Sequence, residues 1–200
     1  MAGEATHESG REGARRAKAW LESTTRVNAP WINPGVYALP KLTFPWAGST
    51  GATFSYDLGG LLIGDELDGQ EFLAEVKYYK QVGRQAEMYD EYLAKCYRAY
   101  ELRPDRCNNF MWITWCPFSI SKWQNLLSCD EVFAAVVRHG ALALGEPDPT
   151  KAPAIVDRSR CDDVAQRLWL IVLSDKQEAL VVSREHRRII QGEQGLRDGS

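Results

Sequence analysis

The order of segments along the chain predicts an α/β fold with a mixed central sheet. Residues 52–64 and 71–79 alternate apolar and polar side chains, as half-buried strands do. A helical pattern at 84–100 then leads to an apolar run at 109–118, which is typical of a strand covered on both faces. A helix between two strands of one sheet usually connects a parallel pair. We therefore expect antiparallel strands, a crossover helix and a buried parallel strand.

The segments before the first predicted strand are of two kinds. Residues 1–10 have no apolar pattern and are expected to be flexible. From Glu12 onward, Ala14, Ala17 and Leu21 follow helical spacing among basic residues, which predicts an amphipathic helix. Residues 28–51 contain four prolines and three glycines. This composition argues against a helix and predicts loops with short edge strands near 36–39 and 41–44.

The remaining elements complete one domain. Asp68-Gly69 is a hairpin signal between the two alternating strands. Beyond residue 116 we expect two helical pieces, a strand at 168–173 and a closing helix that begins at Ser183. The predicted organisation is a flexible segment 1–10 and a single domain 11–200, with a core at about 11–116 and a C-terminal extension at about 117–200.

Composition restricts the classes of function. The chain has 200 residues, a net charge of −3 and no apolar run long enough to span a membrane. The N-terminus lacks the apolar core of a signal peptide, so a cytoplasmic protein without a membrane partner is expected. Five cysteines without a C-x-x-C pair fit a reduced compartment, argue against a zinc site and are expected to be buried. The acidic balance requires any nucleic-acid contact to come from a local patch or a partner.

One group of charged residues points to chemistry. Asp57, Glu75 and Lys77 are opposed to the apolar face of their strands, so pairing of the two strands would bring two carboxylates and an ammonium group together. Carboxylate oxygens are the ligands of Mg²⁺ and Mn²⁺. The tripeptide Glu-x-Lys is common by chance, but Gln85 and Tyr89 follow it at i and i+4 on one helix face.

In the order "FSYDLGG", "FLAEVKYY" and "QAEMY", these residues resemble the Asp, Glu-x-Lys and Gln-x-x-x-Tyr series of the PD-(D/E)XK nuclease superfamily, particularly its RecB-like branch. The resemblance covers about residues 10–116. It implies a restriction-endonuclease-like αβββαβ core and metal-dependent hydrolysis of a phosphodiester.

The resemblance also implies roles for individual residues. Asp57, Glu75 and the main-chain carbonyl of Val76 would bind Mg²⁺ or Mn²⁺, with Lys77 as the catalytic lysine. Three further residues would have supporting roles: Gln85 and Tyr89 would steady the site or contact the DNA backbone, and Glu12 would be an outer metal ligand. Lys80 and Arg84 are either phosphate contacts or a solvated basic edge.

The expected function is therefore a metal-dependent DNA nuclease. Without a separate recognition domain, it would act with other protein subunits in a DNA repair, restriction or phage-defence assembly, and a homo-oligomer is an open alternative. A non-catalytic subunit that uses the same fold for binding or scaffolding is a second hypothesis. A third is an unrelated α/β protein in which Asp57 lies far from Glu75.

Overall fold

A computed structural model describes residues 2–48, 50–79 and 83–198, with side chains described from residue 10 to residue 193 of these ranges. The strands are β1 Val27–Ile32, β2 Thr43–Pro45, β3 Thr53–Ser55, β4 Leu58–Leu62, β5 Glu71–Lys77, β6 Asn109–Thr114 and β7 Leu168–Val172. The α-helices are α1 Ala2–Ser23, α2 Leu39–Leu42, α3 Gln85–Leu102, α4 Cys129–Arg138, α5 Gly140–Ala143, α6 Ala152–Ile155, α7 Arg158–Ala165, α8 Asp175–Glu178 and α9 Arg184–Asp198.

The central sheet has five strands in the order β1–β4–β5–β6–β7. β1 pairs antiparallel with β4, and β4 pairs antiparallel with β5. β6 lies parallel to both β5 and β7. The predicted α/β class with a mixed sheet is confirmed, as are the antiparallel pair, the crossover helix and the interior parallel strand. A separate two-stranded ribbon joins β2 and β3.

β4 and β5 form the predicted hairpin, with Asp68-Gly69 in the connection between them. A single 3₁₀ turn at Asp65–Leu67 precedes it. Asp68 Oδ1 accepts a hydrogen bond from the Gly64 N–H at 2.8 Å. Gly69 has a φ of +74°, a conformation that L side chains rarely adopt and that glycine adopts freely. The sequence Asp-Gly therefore specifies this connection.

The prediction for residues 28–51 was wrong in two respects. The expected strand near 36–39 is a turn that leads into α2, a short helix in a segment predicted to have none, and Pro40 fits its first turn because a missing N–H is not needed there. The strand expected near 41–44 forms in part, as β2. The third strand of the sheet is instead β1, which contains Pro30. Proline is tolerated there because β1 is an edge strand and its register with β4 shifts between Asn28 and Trp31.

Two apolar layers cover the sheet. Leu73, Phe110 and Trp112 pack with helices α3, α4 and α7 on one face, and Phe72 and Ala74 belong to the cluster that includes α1 on the other. Alternation along β5 thus separates the two layers, and Glu75 and Lys77 share the α3 face. α1 begins at Ala2, earlier than the predicted start near Glu12. The flexibility of residues 1–10 stays a prediction.

The C-terminal extension forms as expected in part. Ser128 caps α4 by accepting the Glu131 N–H at 3.2 Å, and Ser183 accepts the His186 N–H at 3.2 Å at the start of α9. α4 ends at Arg138, and Gly140 begins the short helix α5. None of the described helices has both the length and the apolar character needed to cross a bilayer.

The cysteines only partly follow the expectation of burial. Cys96, Cys107 and Cys161 are buried, whereas Cys116 and Cys129 are partly exposed. Burial raises the pKa of Cys107 and that of Cys161 to about 12, so neither thiol ionises readily. All five are free thiols.

Candidate metal centre

Asp57 lies beside β5, at the end of its pairing with β4. The paired residues of the two strands end at Leu58 and Ala74, so Asp57 comes directly before the last pair on β4 and Glu75 directly after it on β5. The Asp57 N–H donates to the Ala74 carbonyl at 3.0 Å. Asp57 Oδ2 accepts from the Val76 N–H at 2.8 Å. Asp57 therefore contacts the backbone of β5 on both sides of Glu75.

Glu75 lies at the centre of a buried group of charges. Its Oε1 accepts a hydrogen bond from Lys77 Nζ at 2.7 Å, and Lys95 Nζ of α3 lies 3.5 Å from the same oxygen. The side chains of Glu75, Lys77 and Lys95 are 7%, 17% and 13% exposed. Glu75 Oε2 is buried and has no hydrogen-bond partner within the described residues. Together with Asp57 these groups balance two carboxylates against two ammonium groups.

Burial and charge act in different directions on these groups. Burial, followed by the neighbouring Glu75 carboxylate, raises the pKa of Asp57 to about 6. Burial also acts to raise the pKa of Glu75, but Lys77 and Lys95 lower that pKa overall. Burial acts to lower the pKa of Lys77, but Glu75 and Asp57 raise it overall. At neutral pH Glu75 is therefore ionised and Lys77 is protonated.

The oxygen donors of the site fit a small hard cation. In a strand, the N–H and C=O of one residue point toward the same neighbour. The Val76 N–H points to Asp57, so the Val76 carbonyl lies on that side too. Mg²⁺ typically takes one or two protein carboxylates and keeps several waters, and Glu75 Oε2 is an unpartnered carboxylate oxygen. Among the described residues, no cluster of three or more His, Cys, Asp and Glu side chains could hold a metal ion.

The N-terminal helix brings residues other than Glu12 to the cavity beside Asp57. Glu12 is exposed and lies 3.7 Å from Arg15, at the distance of a solvated i,i+3 ion pair. A cavity of about 410 Å³ lies beside Asp57, and the α1 residues that line it are Gly10, Arg11 and Ala14. The helix thus presents a guanidinium group to the cavity, and Glu12 is absent from its lining.

Gln85 and Tyr89 are both buried at the start of α3. Gln85 Oε1 accepts from Thr114 Oγ1 at 2.8 Å, and Thr114 is the register partner of Lys77. The Tyr89 hydroxyl donates to the Leu126 carbonyl at 2.8 Å, and the Tyr89 ring packs edge-on against Trp112. Tyr89 is 2% exposed, so its hydroxyl is directed into the protein and away from solvent.

Lys95 is the charged residue of the site that the sequence reading missed. It follows Tyr92 by three residues and precedes Ala99 by four, so it occupies the buried face of α3. A lysine on the apolar face of a helix needs a buried carboxylate, and Glu75 supplies one. A lysine that interrupts the apolar face of α3 was therefore the feature of the sequence that could have identified Lys95 as a residue of the site.

Of the two candidate phosphate contacts, Lys80 and Arg84, the structure describes only Arg84. Lys80 lies outside the described residues. Arg84 is exposed and forms an i,i+3 ion pair with Glu87 at 2.6 Å. The Arg84 side chain is thus partnered on the surface, as a solvated basic edge would be.

Comparisons with family models, with curated proteins and with solved structures found no match to this chain. The case for the site therefore depends on the geometry of Asp57, Glu75, Lys77 and Lys95.

Proposed function

We propose that this protein is a metal-dependent DNA nuclease. The observation that carries the proposal is that Asp57 hydrogen-bonds to β5 on both sides of Glu75, through its N–H to the Ala74 carbonyl and through Oδ2 from the Val76 N–H. Lys77 in turn is bound to the Glu75 carboxylate at 2.7 Å. Two carboxylates and a lysine at the open end of two paired strands are suited to hydrolysis of a phosphate ester.

The order of the elements supports a restriction-endonuclease-like core. The chain runs through α1, β1, β4, β5, α3 and β6, apart from the small elements inserted between β1 and β4. This is the αβββαβ order that the resemblance to the PD-(D/E)XK superfamily implies.

The residues of this chain would act as follows. Asp57, Glu75 and the Val76 carbonyl would hold Mg²⁺ or Mn²⁺, and the bound ion would activate water and offset the charge of the phosphate. Lys77 would donate hydrogen bonds to the phosphate or to the attacking water. Because Glu75 and Asp57 raise its pKa, Lys77 would remain an ammonium group and stabilise negative charge.

Gln85 and Tyr89 would support this arrangement from the core. Tyr89 packs against Trp112, and the Trp112 ring lies 5.9 Å from Lys77 Nζ. Gln85 holds Thr114 at the end of β6, next to Lys77 in the register. Their contribution is to fix the strand ends, while DNA would be contacted by more exposed groups.

One observation favours a second candidate, a non-catalytic nuclease-fold subunit. Glu75 Oε1 lies near both Lys77 and Lys95, so this oxygen is neutralised within the protein. A site in which lysines replace the cation would keep the fold and bind DNA without cleaving it. In either case we expect DNA and further protein subunits as partners.

A cleavage assay separates the two candidates. Linear, nicked and single-stranded DNA would be incubated with Mg²⁺ or Mn²⁺ and the parent protein, Asp57→Asn, Lys77→Ala or the control Glu12→Gln. The nuclease proposal expects cleavage by the parent and Glu12→Gln, and loss by the other two of at least about a hundredfold. DNA binding without cleavage by all four proteins would favour the non-catalytic subunit.

A further inference from the structure

A second cavity, of about 300 Å³, lies at the C-terminal end of α1, whereas the middle of the helix lines the cavity beside Asp57. Three arginines at the start of α9, namely Arg184, Arg187 and Arg188, line it together with Glu22 of α1 and Asn28 of β1. We refer to it as the arginine cavity. None of these residues belongs to the candidate metal centre.

The arginine cavity carries an excess of positive charge. Glu22 is its acidic lining residue and already binds two cations, Arg187 at 3.1 Å and Lys18. Neither Arg184 nor Arg188 has an acidic partner within 4 Å among the described residues, and Arg187 Nε is buried without a partner among them. Three guanidinium groups against one carboxylate leave two positive charges for an anion.

A line of basic side chains joins the arginine cavity to the cavity beside Asp57. Arg11, Arg15 and Lys18 recur at i, i+4 and i+7 and so share one face of α1. Arg11 lines the Asp57 cavity, and Arg11 and Arg15 together line an adjoining cavity of about 460 Å³ against the turn after β1. Lys18 Nζ donates to the Ala29 carbonyl of edge strand β1. We call these three residues the α1 stripe.

The length of the α1 stripe matches several nucleotides. Eleven residues of helix separate Arg11 from Glu22, which corresponds to about 16 Å at 1.5 Å per residue. Successive phosphates of one strand rise about 3.4 Å along duplex DNA, so this distance corresponds to about five nucleotides. Guanidinium groups bind phosphate oxygens through paired hydrogen bonds.

We propose that the arginine cavity binds a backbone phosphate of a nucleic-acid strand that follows the α1 stripe from the candidate metal centre. This inference rests on the proposed function and adds to it the kind of substrate, a polynucleotide strand of more than about five nucleotides and not a mononucleotide. Because the net charge of the protein is −3, binding of that strand depends on local basic groups such as those of the arginine cavity.

Binding measurements without metal test the cavity separately from cleavage. Fluorescence anisotropy in EDTA would follow the binding of a trinucleotide and of a strand of about twelve nucleotides over a range of KCl concentrations. The parent would be compared with Arg184→Ala/Arg188→Ala. Arg103→Ala/Arg158→Ala is the matched control, because it removes the same charge from exposed arginines elsewhere on the chain.

The expected result is specific to length and position. Loss of two phosphate contacts reduces the slope of log K against log salt by about 1.4 for a single strand. Arg184→Ala/Arg188→Ala should therefore bind the longer strand more weakly and the trinucleotide unchanged, and the control should bind like the parent. Equal slopes for the parent and Arg184→Ala/Arg188→Ala would overturn the proposal, and so would pyrophosphate binding as tightly as the longer strand.

Cleavage in Mg²⁺ separates failure of this inference from failure of the proposed function. Cleavage that depends on Asp57 but not on Arg184 and Arg188, with equal salt slopes, would support the nuclease proposal and refute phosphate binding in the arginine cavity. A salt slope that depends on the two arginines, without any cleavage, would support phosphate binding in the arginine cavity and refute the nuclease proposal. A parent protein that neither binds nor cleaves would overturn both.

Discussion

Replacing Glu75 by glutamine tests whether the buried charges at the end of β5 hold the structure together. Glu75 Oε1 lies 2.7 Å from Lys77 Nζ and 3.5 Å from Lys95 Nζ. At an effective dielectric constant of about 20, these distances correspond to gross attractions of about 6 and 5 kcal/mol. Desolvation of the three groups offsets most of that sum. Glu75→Gln leaves two buried ammonium groups close together, so we expect a loss of about 3–5 kcal/mol in the free energy of unfolding.

Glu91→Gln is the matched control, because it removes a carboxylate from the same lysine at the surface. Glu91 lies 3.3 Å from Lys95, but its side chain is 47% exposed. An exposed i,i+4 pair contributes about 0–1 kcal/mol. Urea unfolding in EDTA, with the linear extrapolation to water, measures both variants. The reasoning would be refuted if Glu75→Gln lost less than about 1 kcal/mol, or if Glu91→Gln lost as much as Glu75→Gln.

Three further predictions concern single side chains. Because the folded protein raises the pKa of Asp57 to about 6 from an ordinary 3.8, the ionised carboxylate destabilises the metal-free protein above that pH. Asp57→Asn should then be more stable than the parent by up to about 3 kcal/mol near pH 8 and equally stable near pH 4. Urea unfolding at both pH values measures this, and a difference in the free energy of unfolding that does not change with pH would contradict it. Tyr89→Phe leaves the Leu126 carbonyl unpaired and should cost about 1–3 kcal/mol without changing cleavage by the folded protein, whereas lost cleavage at unchanged stability would show a direct role. In Gly60→Ala the new Cβ would lie 2.0 Å from a backbone oxygen of β1, so we expect the free energy of unfolding to fall by about 1–3 kcal/mol. In Gly192→Ala the helical position is open, so the free energy of unfolding should rise by up to about 1 kcal/mol. Equal melting temperatures of the two variants would argue against the close packing of β1 on β4.

The parts of the fold that the sequence predicts well are those in which burial alternates. β5 and α3 each bury one face, so their side chains carry the period of the element. β6 is covered by both apolar layers, and its continuous apolar run predicts an interior strand. The register of β4 on β5 also follows, because a slip by one residue would turn Glu75 into the opposite layer.

The sequence did not predict β1, because this strand is stabilised by its packing against α1 and β4 and not by a local pattern. Its sequence, VNAPWI, is short and contains a proline, which reads as a loop. In the folded protein Val27 and Ala29 are buried between α1 and β4, and the other edge of the strand needs no donor at Pro30. Only the tertiary structure shows that this segment is an edge strand.

The site was predictable in its carboxylates but not in its cations. Asp57 and Glu75 break the apolar alternation of their strands, which is visible in the sequence. Lys95 approaches Glu75 from α3 across twenty residues of chain, and Arg11 reaches the Asp57 cavity from α1. Both positions depend on how the helices pack, so no local pattern in the sequence points to them.

Binding of Mn²⁺ tests the central claim, that Asp57 and Glu75 form a divalent-cation site. Titration of the parent with Mn²⁺, followed by the electron paramagnetic resonance signal of the free ion, should show one bound ion. Asp57→Asn keeps an oxygen that can accept the Val76 N–H and should weaken binding by at least about tenfold, a loss of about 1.4 kcal/mol. Asp90→Asn, which alters an ion pair with Arg138 on the surface of α3, should bind like the parent. Equal Mn²⁺ affinity of the parent and Asp57→Asn would contradict the account.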